Sequence, residues 1–136
     1  MSFRLWDFVC SHNQLNLRHT EVHDDGSTSN VDLVFYGVTY MELPPTLADT
    51  HFEVPTPEEV EYLRRRDTGS YFPREYYALA SNDKRYYVVA AGLYLERNDL
   101  PLSVSALENM YAEVATSMNQ VGDGESLYRT TSGRGE

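Results

Sequence analysis

The 136-residue sequence has little cysteine and no long apolar run. Its single cysteine, Cys10, cannot form an internal disulfide, which favours a reducing compartment. Arg4 and Asp7 interrupt the apolar start of the chain, so no stretch is long enough for a signal peptide or a membrane span. These absences predict a cytoplasmic protein in which Cys10 is a buried, inert thiol rather than a nucleophile.

The sequence also lacks the strong motifs of catalysis and cofactor binding. It has no phosphate-binding glycine loop, no Cys-x-x-Cys pair, no His-Glu-x-x-His and no nucleophile elbow. We therefore predict no catalytic residues and no cofactor, and a binding protein is favoured over an enzyme.

Basic residues are missing from one third of the chain. Between His19 and Leu63 there is no lysine or arginine, whereas this segment holds ten of the 21 acids. The remaining residues have as many bases as acids, so the whole net charge of −10 belongs to this acidic segment. Such a field repels nucleic acid and anionic membranes and favours a protein partner with a basic surface. Excess carboxylate also keeps proteins soluble, and that simpler interpretation stays open.

Four carboxylates of the acidic segment are predicted to lie in loops or near strand ends, where side chains reach outward. We interpret them as the surface that binds the basic partner. They are Asp24, Asp25, Asp49 and Glu53.

Two alternatives come from other residues. On a strand, His19, Glu21 and His23 share one face under the two-residue period, which would suit a metal ion in a small metal-dependent enzyme. The same residues are also expected at a strand end that runs into solvent. An exposed sheet face that bears Tyr76, Tyr87 or Tyr94 would instead suit a structural or regulatory subunit, or a homodimer, because tyrosine is enriched at interfaces.

Residues Arg74 to Leu95 are predicted to form the central hairpin. Two runs rich in aromatic and β-branched residues flank a polar turn at Asn82-Asp83-Lys84. Neither face of the second run, Arg85 to Leu95, is polar, which indicates a strand that is covered on both sides.

Other patterns predict the remaining elements. Strands are expected at Phe3 to Cys10, Gln14 to Val22, Val31 to Leu43 and Thr50 to Val54. Within the third of these, Gly37 indicates a bulge or a close approach of another backbone. A capping box at Thr56 and Glu59 predicts one helix, and a second helix is expected to begin at Ser103 or Ser105, where Ser105 and Glu108 form another capping box.

This order of elements predicts an α+β protein. We expect one domain over residues 1–120, with a mostly antiparallel, twisted sheet of about six strands and one or two helices packed on it. Residues 121–136 are mostly Gly, Ser, Thr and charged residues, and are predicted to be a disordered tail.

Part of the chain resembles a family of bacterial proteins. From Leu15 to Val54 the chain has a Leu-x-Leu strand, an acidic loop, the run Val-Asp-Leu-Val-Phe-Tyr-Gly-Val-x-Tyr-Met-Glu-Leu and a short strand. This pattern, with the later Tyr-Tyr-Val-Val-Ala-Ala-Gly strand, resembles the small β-rich immunity proteins of toxin systems, the immunity protein 50 group. The resemblance implies a cytoplasmic, non-enzymatic protein that binds and blocks a toxin, and it implies no catalytic residues.

Overall fold

The strands of the described residues lie in two antiparallel sheets. The computed structural model describes residues 1–67 and 73–110, and this part contains nine strands and two helices. The second helix, α2, is described over residues 106–110. The other elements are β1 (Phe3–Val9), β2 (Gln14–Val22), β3 (Thr28–Tyr36), β4 (Tyr40–Glu42), β5 (Thr46–Leu47), β6 (His51–Glu53), α1 (Pro57–Arg66), β7 (Glu75–Ser81), β8 (Lys84–Ala90) and β9 (Gly92–Asn98).

The two sheets pack face to face around one apolar core. The five-stranded sheet has the order β5-β1-β2-β3-β9, and the four-stranded sheet has the order β4-β8-β7-β6. The α+β class with antiparallel pairing is therefore confirmed, with the strands divided between two sheets. The buried side chains of the core are Phe3, Leu15, Leu17, Val31, Leu33, Phe35, Val38, Leu47, Leu79, Val88 and Ala90.

Two of the predicted strands are wrong as single strands. The run from Val31 to Leu43 is broken after Tyr36, where Gly37 has φ 62°, and the chain continues as β4 in the other sheet. The run from Arg85 is broken at Ala91, after which β9 pairs with β3. Each apolar run therefore supplies a strand to both sheets, as occurs at the corners of β-sandwiches.

The two crossings lie side by side. The backbone N–H of Ala91 donates to the carbonyls of Tyr36, at 2.9 Å, and of Gly37, at 3.1 Å. A Cβ at Gly92 would overlap the ring of Tyr36. The close approach predicted at Gly37 is confirmed, since a Cβ there would lie 2.8 Å from the Cβ of Ala91.

The predicted hairpin turn and first capping box are confirmed. Asn82 and Asp83 both have positive φ, 51° and 63°, as a two-residue turn between β7 and β8 requires. At the start of α1, the backbone N–H of Glu59 donates to the Thr56 hydroxyl at 3.1 Å, and the Glu59 carboxylate accepts from the backbone N–H of Thr56 at 2.8 Å. Leu63 is the fully buried residue of this helix.

Some predictions change or lie outside the described residues. The prediction that Cys10 is a buried thiol is wrong, because Cys10 is exposed. This residue lies in the turn that follows β1. The predicted tail at 121–136 lies outside the described residues. Within residues 1–67 and 73–110, no helix is long and apolar enough to cross a membrane.

We expect Gly37→Ala to destabilise the protein more than Gly26→Ala. Both glycines have positive φ, 62° and 87°, so both variants lose about 1 kcal/mol from backbone strain. Only at Gly37 does a new Cβ meet Ala91, whereas nothing lies within 4 Å of a Cβ at Gly26. Urea denaturation should show that Gly37→Ala loses at least about 1 kcal/mol more. Equal losses would contradict a tight contact between the crossings.

Candidate functional site

A row of charged residues crosses the outer face of the five-stranded sheet. In the register of four neighbouring strands, Arg4 lies opposite Arg18, Arg18 opposite Asp32, and Asp32 opposite Glu96. Residues directly opposite each other in antiparallel strands point to the same face. The row therefore reads from two positive to two negative residues, on the face turned away from the core between the sheets.

The centre of this row is a buried ion pair. Nε of Arg18 donates to Oδ1 of Asp32 at 2.8 Å and Nη2 donates to Oδ2 at 2.9 Å, with both side chains fully buried. Asn16 and Asn98 each donate a further hydrogen bond to Asp32, at 3.0 and 2.8 Å. Asp32 thus has four donors, which offset the cost of removing its charge from water.

The same polar layer fixes the start of α2. The Oδ1 atom of Asn16 accepts from the backbone N–H of Ala106 at 3.0 Å, and the hydroxyl of Ser105 donates to Asp7 at 2.7 Å. The capping box predicted for this helix is confirmed, because Ser105 and Glu108 exchange both hydrogen bonds. The helix therefore begins on polar side chains of the sheet, beside a small apolar cluster centred on Val34.

A cavity of about 460 Å³ lies at the β1–β2 end of this layer. Trp6 lines it and is the extra residue of a β-bulge, since Leu5 pairs with Leu17 and Asp7 with Asn16. The guanidinium carbon of Arg18, which also lines the cavity, is 5.3 Å from the centre of the Trp6 ring. The remaining lining residues are Ser2, Arg4, His19, Thr20, Val22, Thr46 and Leu102.

One donor of Arg18 has no acceptor. Its Nη1 atom is buried and has no hydrogen-bond partner within the described residues. A buried donor without a partner is unfavourable in free energy by about 1 to 3 kcal/mol. This geometry makes the cavity the strongest candidate binding site in the described chain.

The sequence contained only partial signals for this site. The two-residue period places Asn16, Arg18 and Thr20 on one face of β2, and Asp32 is a charge inside an apolar strand. Neither observation says that the two strands pair in the register that brings Arg18 opposite Asp32. The site was therefore not predicted.

A second polar cluster fixes α1 on the outer face of the four-stranded sheet. Arg85 donates to both carboxylate oxygens of Glu59, at 2.6 and 2.8 Å, and the Tyr87 hydroxyl donates to Glu59 at 2.5 Å. The hydrogen bonds from Arg85, Tyr87 and the Thr56 backbone lower the pKa of Glu59 to about 2. Burial and the bond to Glu59 raise the pKa of Tyr87 to about 12. These contacts hold the helix in place and explain why Tyr87 is not part of an open tyrosine face.

The structure separates the four predicted partner-binding acids into two groups. Asp24, Asp25 and Asp49 are exposed. Hydrogen bonds to Ser27 lower the pKa of Asp25, so it stays ionised. Glu53 instead forms an ion pair with Arg85 and is 3.0 Å from Nε2 of His51.

The three residues of the metal hypothesis have separate contacts. Nδ1 of His19 donates to the carbonyl of Ser2 at 2.8 Å, and Nε2 of His23 is 2.8 Å from the hydroxyl of Ser29. Glu21 is exposed. Residues 1–67 and 73–110 contain no group of three or more His, Cys, Asp or Glu that could hold a metal ion.

Comparison with known proteins gives no family assignment. No family model matches the chain, and no curated protein or solved structure matches it. The functional assignment therefore depends on the residues and their geometry.

We expect Arg18 and Asp32 to be strongly coupled. Asp32→Leu leaves the buried charge of Arg18 uncompensated, and Arg18→Met does the same to Asp32, so each variant should lose about 3 to 5 kcal/mol of unfolding free energy. The double variant leaves neither charge and should be more stable than either single variant. Urea denaturation of all four proteins gives the coupling. Additive losses would show that the pair is not a unit.

Glu59 should make stability depend on pH in the acid range. Its pKa falls from the ordinary 4.5 to about 2 on folding, so its contribution is present above about 4.5 and is lost as the pH falls towards 2. At pH 7, Glu59→Gln should lose about 1 to 2 kcal/mol in urea denaturation. That loss should shrink towards zero near pH 2. Glu58→Gln, an exposed change in the same helical turn, is the matched control and should follow the wild type at each pH.

Proposed function

We propose that this protein is a non-enzymatic binding protein whose acidic surface recognises a protein partner with a basic surface. The observation that supports the proposal is the uneven distribution of carboxylates along the chain. The segment from His19 to Leu63 has no basic residue of its own, and it carries the whole net charge of −10.

The ion pairs of the fold reduce the number of acids that could bind the partner. Asp32, Glu53, Glu59 and Glu61 of the acidic segment are each paired with an arginine from outside it. Within the described residues, Asp24, Asp25 and Asp49 are exposed and have no basic partner. They would therefore supply the field that steers a cationic surface to the protein.

A toxin is the partner class that we propose. The resemblance to the immunity protein 50 group supports this choice, because such proteins bind and block toxins in the cytoplasm. An acidic protein of this kind would have no affinity for nucleic acid or for an anionic membrane, since both repel its field. The protein would act by covering a surface of the toxin and would perform no chemistry of its own.

The experiment compares two variants that remove equal charge. The test variant carries Asp24→Asn, Asp25→Asn and Asp49→Asn. The control carries Glu75→Gln, Asp83→Asn and Asp99→Asn, three exposed acids outside the acidic segment. Both should fold with nearly wild-type stability, because exposed carboxylates contribute little to it.

The wild type and both variants are used as baits for lysate of the native host. A basic protein retained by the wild type and the control, but lost by the test variant, is the expected partner. Its association rate should fall at least about tenfold from low to physiological salt, while its dissociation rate changes less. Equal binding to all three baits, or an association rate that is independent of salt, would show that the acidic segment only promotes solubility.

A further inference from the structure

We propose that the cavity beside Arg18 and Trp6 binds a small organic acid through its carboxylate. This site lies on the outer face of the five-stranded sheet and goes beyond the proposed protein-binding function. It combines a buried donor that has no acceptor among the described residues, a second arginine and an aromatic ring with a cavity of about 460 Å³.

The first requirement of a carboxylate site is a fixed donor. The guanidinium of Arg18 is held along one edge by Asp32, through Nε and Nη2. Because the guanidinium is planar and rigid, this contact also fixes the direction of Nη1, on the opposite edge. An acceptor that reached Nη1 would form a charge-assisted hydrogen bond while Arg18 keeps its ion pair with Asp32.

Arg4 supplies the second donor. It is directly opposite Arg18 on β1, it lines the same cavity, and it is exposed. Side chains at such paired positions start about 5 Å apart, so both arginines can reach one ligand. Within residues 1–67 and 73–110, Arg4 forms no ion pair.

The charge balance favours a carboxylate over a phosphate. Asp32 pairs with Arg18, so Arg4 is the arginine lining the cavity that has no ion pair within the described residues, and one carboxylate balances it. A doubly charged phosphate would leave excess negative charge in a protein whose net charge is already −10. Trp6, Val22 and Leu102 add apolar lining, which would contact a short hydrocarbon chain on the acid.

The test uses Trp6 as its reporter. Trp6 is the only tryptophan, so its indole N–H gives a single NMR resonance at the site. The wild-type protein is titrated with butyrate, acetate, inorganic phosphate and chloride at matched ionic strength. We expect a saturable shift with butyrate, a Kd at least about threefold higher for acetate, and no saturation with phosphate up to about 10 mM.

Variants separate binding from folding. Because Arg18 is part of the buried pair, the test variant is Arg4→Gln, which removes an exposed charge and should weaken butyrate binding about tenfold. Arg97→Gln removes the same charge from an exposed position on the other face of the sheet and should bind like the wild type. Any of three results would overturn the proposal: no saturable shift with either acid, a tighter Kd for phosphate, or equal weakening by both variants.

Discussion

The buried pair of Arg18 and Asp32 is the interaction on which the outer face of the five-stranded sheet depends. Charges taken out of water need hydrogen-bond partners, and the four donors that Asp32 requires fix its neighbours. Asp32 brings Asn98 of β9 and Asn16 of β2 to the same point, and Asn16 then accepts from the start of α2. One ion pair therefore sets the positions of three strands and a helix.

Most of the local structure followed from local sequence. The strands β1 and β2, the Asn82-Asp83 turn and both capping boxes depend on residues only a few positions apart, and all were predicted. The division into two sheets was not predicted. An apolar run shows that a strand is buried but does not show which sheet it joins, so the breaks at Gly37 and Ala91 were missed.

The candidate site could not be predicted either, because local patterns do not show which distant segments meet. Its contacts join residues that are far apart in sequence, as when Ala106 donates to Asn16 or when Arg85 pairs with Glu53. Composition correctly located the negative charge in one segment. It could not show that Glu53 lies against an arginine while Asp24 and Asp49 lie in solvent, because that distinction depends on how the two sheets and α1 pack.

The adjacent crossings at Gly37 and Ala91 have a consequence for how the protein opens. Within the described residues, four chain connections join the two sheets, and two of them, at Gly37 and Ala91, are hydrogen-bonded to each other at one corner. Neither sheet can separate from its partner without breaking that corner and exposing the shared core. The sandwich is therefore expected to open as one cooperative unit, so its slowest-exchanging amides in both sheets should report the same free energy of opening.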